Sequence, residues 1–318
     1  MSFLKYFATL LLFPLFIPAS PAKLVAGPAN ILVTNDDGWA VAQIRSEFDA
    51  LAAVDGFNVI LSCPASNKSG TGNTTATPTV LTDPCEFDTC PAGSPAVGFN
   101  ATDPRLNYVN AFPVDAVSFG IQTLAPKFFN GQRPDFVVSG SNVGNNLGPG
   151  ITGSGTCRAA AQAVMLGVPA VAFSGFTASQ ISYTTLETDR TSNLTLAALT
   201  YDTLTVRLVD LLLKPFTAHG AEILPPGVVI NINYPPTANC SSVDDFQWIF
   251  TRLAPATNAT KDVETCGNRG VLTDELTAIQ VPGCWITASV YNAVTVKDVD
   301  AETQRKVLHK LAPLLSCQ

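Results

Sequence analysis

Asp36 and Asp37 stand side by side, directly after Ile31-Leu32-Val33-Thr34-Asn35 and directly before Gly38. The apolar, β-branched run predicts a buried strand. Two adjacent carboxylates at the end of such a strand repel each other unless something positive sits between them. A hard divalent cation prefers oxygen ligands and would supply that charge. The competing reading is that the two acids merely cap the following helix.

Two further polar segments follow predicted strands. Pro64-Ala65-Ser66-Asn67-Lys68-Ser69-Gly70 follows the second strand, and Ser139-Gly140-Ser141-Asn142-Val143-Gly144-Asn145-Asn146 follows the strand Phe136–Val138. In an open parallel sheet, ligands bind at the carboxyl ends of the strands, so the segments are expected to meet there. Together they offer carboxylates, a hydroxyl and amide oxygens, a hard set suited to Mg²⁺, Mn²⁺ or Ca²⁺. Taken alone, the Gly/Ser/Asn loop is better explained by ordinary turn chemistry. Ser154-Gly155-Thr156 lies just before a predicted helix, where free N–H groups and the helix dipole attract an anion. Gly155 would let a phosphate approach closely, so Gly155→Val is expected to abolish phosphate binding and spare the metal. A metal beside an anion cradle is the minimum equipment for hydrolysing a phosphate ester.

The elements that must carry these residues read as alternating strands and helices. The pattern predicts strands at Ile31–Thr34, Val59–Ser62, Phe136–Val138, Ala170–Phe173 and Val228–Ile232. It predicts helices at Val41–Val54, with Ile44, Phe48 and Leu51 on one face, and at Pro113–Leu124, Cys157–Leu166 and Leu194–Lys214. Residues 64–94, rich in Ser, Thr, Pro, Gly and Asn, read as a long functional loop. Such alternation implies an α/β fold, a mostly parallel sheet covered on both faces. From about Thr237 the pattern changes to the strand-like pieces Trp248–Leu253 and Cys284–Val290 and a final helix, Ala301–Leu315.

The chain has 318 residues, 47% of them hydrophobic and 14% charged, which excludes wholesale disorder. With a formal net charge of −7 and no Lys/Arg cluster, a nucleic-acid polymer is not an expected partner. The start reads as a secretory signal over residues 1–22, with Lys5, the apolar run Phe7 to Ile17, and cleavage after Ala22. Nothing later is long and apolar enough to span a bilayer, so no membrane partner is expected after cleavage. The eight cysteines, Cys63, Cys85, Cys90, Cys157, Cys240, Cys266, Cys284 and Cys317, fit disulfides in an oxidising compartment. Cys85–Cys90, Cys240–Cys266 and Cys284–Cys317 are the pairings considered, with other connectivities open. Sequons at Asn67, Asn73, Asn100, Asn193, Asn239 and Asn258 also fit a secreted glycoprotein.

Other chemistries find less support. Gly148-Pro149-Gly150-Ile151-Thr152-Gly153 matches a dinucleotide fingerprint, but not directly after a strand and with no acid at the required distance. No G-x-S-x-G motif occurs, and His219 and His309 lie outside every motif, which argues against a serine hydrolase.

ILVTNDDG, PASNKSG, PDFVVSGSNVGNNLG and GSGTCRAAAQA, followed in order by PAVAFS and VVININ, together resemble the SurE (survival protein E) family of metal-dependent nucleotidases and acid phosphatases. The resemblance covers residues 30–235. It implies a Rossmann-like three-layer α/β fold over residues 23–236. It also implies a C-terminal extension, 237–318, packed on the same domain or exchanged between subunits of a homodimer or higher homo-oligomer. The metal ligands would be Asp36, Asp37, Ser69 and Asn142, with Mg²⁺ or Mn²⁺ as cofactor. Asn146, Ser154, Gly155 and Thr156 would hold the phosphate of a small phosphate monoester. Asp36 and Asp37 would be catalytic: both hold the metal while water attacks phosphorus, or Asp37 attacks it directly. The alternative is a secreted, non-catalytic phosphate- or nucleotide-binding protein on the same fold. The chain departs from the family pattern at Ala111-Phe112-Pro113-Val114-Asp115, where Phe112 replaces a threonine, and at Arg158, where smaller residues are commoner.

Overall fold

The computed structural model describes residues 27–176, 179–240 and 242–318. The predicted signal segment, residues 1–22, lies outside the described residues. The elements run β1 (Ala29–Thr34), α1 (Ala42–Ala52), β2 (Phe57–Pro64), β3 (Val97–Phe99), β4 (Leu106–Val109), α2 (Pro113–Phe119), α3 (Ala125–Phe128), β5 (Phe136–Val143), α4 (Gly155–Met165), β6 (Ala170–Gly175), α5 (Thr185–Thr188) and α6 (Asn193–His219). They continue with β7 (Val228–Tyr234), β8 (Gln247–Thr251), α7 (Glu275–Ala278), β9 (Trp285–Asn292) and α8 (Ala301–Leu311).

The strands form one nine-stranded sheet in the order β3-β4-β2-β1-β5-β6-β7-β9-β8. Only β3 against β4 and β7 against β9 are antiparallel, so the mixed sheet is mostly parallel. Side-chain parity explains the three layers. Ile31 and Val33 of β1, with Phe136 and Val138 of β5, face the core beneath Phe48 of α1 and Tyr201, Leu204 and Leu208 of α6. Leu32 and Val137, one residue out of phase, face the opposite core beneath Val117 of α2 and the alanines of α4. A strand buried on both faces must be apolar throughout, as ILV is.

The differences from the sequence expectations have local causes. β5 does not stop at Val138: after an irregularity between Ser139 and Asn142 it pairs again with β6, Asn142 beside Ser174 and Val143 beside Gly175. Gly140 permits this bend. Its φ is +125°, and a Cβ there would stand 2.1 Å from the Phe173 carbonyl oxygen. The expected helix Pro113–Leu124 is a seven-residue α-helix followed by a π-helical turn at Gly120–Leu124. α6 continues one turn past Lys214, through Pro215, and ends at Gly220 in the left-handed conformation.

Three disulfides are present: Cys85–Cys90, Cys240–Cys284 and Cys266–Cys317. The first is the expected local pair. The pairings Cys240–Cys266 and Cys284–Cys317 are corrected by the fold: the chain following β7 returns to the start of β9, so Cys240 meets Cys284, and the C-terminus returns to the loop at Cys266. Cys63 and Cys157 are free and buried. Peptide mapping without reduction is expected to recover those three linked pairs and two free thiols. Recovery of a Cys240–Cys266 peptide would contradict the register of β8 and β9.

Candidate active site

Asp36 and Asp37 leave the carboxyl end of β1 and are both almost completely buried. Burial sets their electrostatics. It raises the pKa of Asp36, and it raises that of Asp37 to about 7, with the neighbouring Asp36 charge as the second cause. No ion pair among the described residues involves either acid.

Hydrogen bonds gather the remaining candidates around them. Ser69 Oγ donates to Asp37 Oδ1 at 3.3 Å, and the Val143 amide donates to Asp37 Oδ2 at 2.8 Å. Thr156 Oγ1 lies 2.8 Å from Asp36 Oδ1 and 3.2 Å from Asn142 Oδ1, so one hydroxyl joins two candidate ligands. The Lys68 amide donates to the Asp36 carbonyl at 2.7 Å and fixes the Ser69 loop against β1. Asp36, Asp37, Ser69 and Asn142 thus form one connected group, all of it oxygen donors. Two buried carboxylates with no basic partner, plus a hydroxyl and an amide oxygen, fit a hard divalent cation. No cluster of three or more His, Cys, Asp or Glu suited to a metal occurs among the described residues, so such a site rests on the hydroxyl and amide as well as the acids.

The anion cradle is built differently from the expectation. Ser154 caps α4, its Oγ accepting from the Cys157 amide at 3.1 Å. The Thr156 amide donates to Asp36 Oδ2 at 3.1 Å. The helix N-terminus therefore already faces one carboxylate, that of Asp36. A Cβ on Gly155 would stand 2.7 Å from Asp36 Cβ and 2.9 Å from Asp36 Oδ2. Gly155→Val therefore cannot separate anion from metal binding as expected, because it strikes a candidate metal ligand first.

Asn146 sits above β6 and β7. Its Nδ2 donates to Ser174 Oγ at 2.8 Å, and its carbonyl accepts from Asn231 and Asn233. Glu275 of α7 locks the same loop, accepting the Gly148 amide at 2.6 Å and hydrogen bonds from Asn231 and Ser289. Asp115 accepts the Phe112 and Ala76 amides, so it caps α2 and ties down the 64–94 loop. Arg158 Nε donates to the Thr152 carbonyl. His219 and His309 are exposed.

Some residues here escaped the sequence reading. Gln180 Nε2 donates to Asp37 Oδ1 at 2.5 Å, and its Oε1 accepts from Asn67. Nothing near Gln180 in sequence announces this, since its partner lies 143 residues away. Asn231 and Asn233 did leave a signal: two asparagines at period two inside VVININ place amides on one face of an otherwise apolar strand.

The model for the family described as survival protein SurE matches residues 31–259. The chain belongs to the SurE family. It is 37% identical over 264 residues to an acid phosphatase of Yarrowia lipolytica, a match covering 80% of this chain and 67% of that protein. It is 39% identical over 145 residues to the 5'-nucleotidase SurE of Brevibacillus brevis, covering 46% of this chain and 49% of that one. The match thus spans only about half the length of that bacterial relative. The crystal structure of the Sure protein from Aquifex aeolicus superimposes with a TM-score of 0.54 at 20% identity, covering 88% of this chain and 98% of that one. At that identity the likeness speaks for the fold alone.

Proposed function

We propose that this SurE-family chain is a metal-dependent phosphomonoesterase acting on nucleoside monophosphates or other small phosphate monoesters. The observation that carries the reading is the connected oxygen group of Asp36, Asp37, Ser69 and Asn142 at the carboxyl ends of β1 and β5. The names of its relatives, acid phosphatase and 5'-nucleotidase, support it. Those four residues would hold Mg²⁺ or Mn²⁺, which when bound offsets phosphoryl charge in the transition state. Asp36 is held by Thr156, and Asp37 by Val143 and Gln180, so both carboxylates are oriented before substrate arrives. Asn146, Ser154, Gly155 and Thr156 would bind the phosphate, Ser154 Oγ and the Thr156 amide giving up their bonds to Cys157 and Asp36 to do so. Secretion is supported by the three disulfides. A homodimer or higher homo-oligomer, with residues 237–318 packed on their own domain or exchanged, completes the reading.

Stripping the protein with EDTA is expected to cut phosphate release from a monoester panel by at least about a hundredfold. Mg²⁺ or Mn²⁺ should restore it. Full turnover after exhaustive chelation would sink the metal-dependent mechanism, and phosphate binding without turnover under any metal would favour the non-catalytic binding protein.

A further inference from the structure

α1 and α6 pack on one face of the sheet and enclose two acids, Glu47 at 0% and Asp202 at 2% exposure. Glu47 Oε2 accepts both the Ser141 amide, at 3.0 Å, and the Ser141 hydroxyl, at 2.7 Å. Its other oxygen, Oε1, closes no hydrogen bond of full geometry, although the Thr205 hydroxyl acts on this carboxyl. The Asp202 oxygens likewise close none of full geometry, with only the Ser46 hydroxyl acting on them, and neither polar side-chain atom of Gln43, one turn before Glu47, has a partner. Buried polar atoms are rarely left so. Burial, and then the Glu47 charge, push the Asp202 carboxyl well above its ordinary range, while burial raises Glu47 to about 7. Asp49 acts on Asp202, and both acids act on Tyr234; neither Asp49 nor Tyr234 is a cation. Two ionised carboxylates are strongly disfavoured in such a place.

Ser141 is the residue immediately before Asn142, within the irregularity where β5 shifts register against β6. We propose that Glu47, buried between α1 and α6 and bonded twice to Ser141, is the positioning residue that fixes the backbone of Ser141 and so aims Asn142 at the metal site. This inference rests on the metal-site reading given above. Glu47 touches neither substrate nor metal in it. Without Glu47, the buried Ser141 amide loses its acceptor, and the bend that presents Asn142 loses its anchor.

The test is Mn²⁺ titration of the purified full chain, read by electron paramagnetic resonance, with thermal melting alongside. Glu47→Ala is expected to weaken Mn²⁺ binding about tenfold or more, the usual effect of removing a residue that orients a ligand. Glu47→Gln should stay within about threefold of wild type, because its amide oxygen still accepts from Ser141. If Glu47→Ala does not fold, Ser141→Ala serves instead and should weaken Mn²⁺ at least about threefold through the lost hydroxyl bond. A folded Glu47→Ala, or failing that a Ser141→Ala, that binds Mn²⁺ as wild type does overturns the proposal, even if its melting temperature falls. Wild-type protein that binds no Mn²⁺ fails the proposed function itself, a result distinct from an unchanged variant.

Discussion

Asp36→Asn is expected to lower phosphomonoester turnover by about a thousandfold or more while leaving the melting temperature within a few degrees of wild type. The activity loss follows from position. Asp36 is one of only two carboxylates in the oxygen group, and loss of one preorganised electrostatic element typically costs a hundred- to a thousandfold. Holding the metal as well should place the variant at the upper end. The stability expectation follows from burial. Without a cation the Asp36 carboxylate is desolvated and its pKa raised, so a neutral amide removes an unfavourable charge. The amide oxygen can still accept from Thr156, whose hydroxyl can in turn accept from the new NH₂. Parallel measurement of specific activity and melting decides the matter. A variant that unfolds, with the folded fraction fully active, would make Asp36 a structural residue.

The stability of the protein is expected to fall as pH rises from about 5 to about 8.5. Glu47 has its pKa raised to about 7 and Glu275 to about 8, both chiefly by burial. In the unfolded chain each returns to the ordinary glutamate value near 4.5. Between those values the native state keeps protons that the unfolded state has released, so the slope of unfolding free energy with pH is negative. The contribution is fully present below about 4.5, declines upward, and is lost once pH passes the folded values. Each tenfold difference in proton affinity between the folded and unfolded chain is worth about 1.4 kcal/mol, so Glu47 alone accounts for about 3 kcal/mol. Melting with saturating Mg²⁺, which keeps Asp36 and Asp37 paired, should show the decline, and Glu47→Gln should make it shallower while Glu275 keeps the remainder. A flat or rising profile would mean that both acids are ionised in the native protein.

Much of the fold was legible because strand parity and helix alternation are local signals. ILV in β1 and the PAVAF and VVI runs are apolar throughout, as strands covered on both faces must be. That Asp36, Asp37, Ser69 and Asn142 come together was legible for a different reason: they lie at or beyond the carboxyl ends of β1, β2 and β5, whose parallel arrangement places those ends side by side. The C-terminal half of β5 was not. Ser139-Gly140-Ser141-Asn142 has turn composition, and only its renewed pairing with β6 makes it a strand. β3 and β4 are too short to announce themselves beside the long 64–94 loop. Partners distant in sequence escaped as well. Glu47 reads as one more charged residue on an amphipathic helix until α6 covers it, and the crossing of Cys240–Cys284 with Cys266–Cys317 depends on where β9 enters the sheet.

The most direct measurement is the anomalous scattering of a crystal soaked in MnCl₂. The account predicts one strong peak within about 2.0–2.6 Å of oxygens from Asp36, Asp37, Ser69 and Asn142. Mn²⁺-dependent phosphatase activity with no peak among those four residues, or with the peak elsewhere, would contradict it.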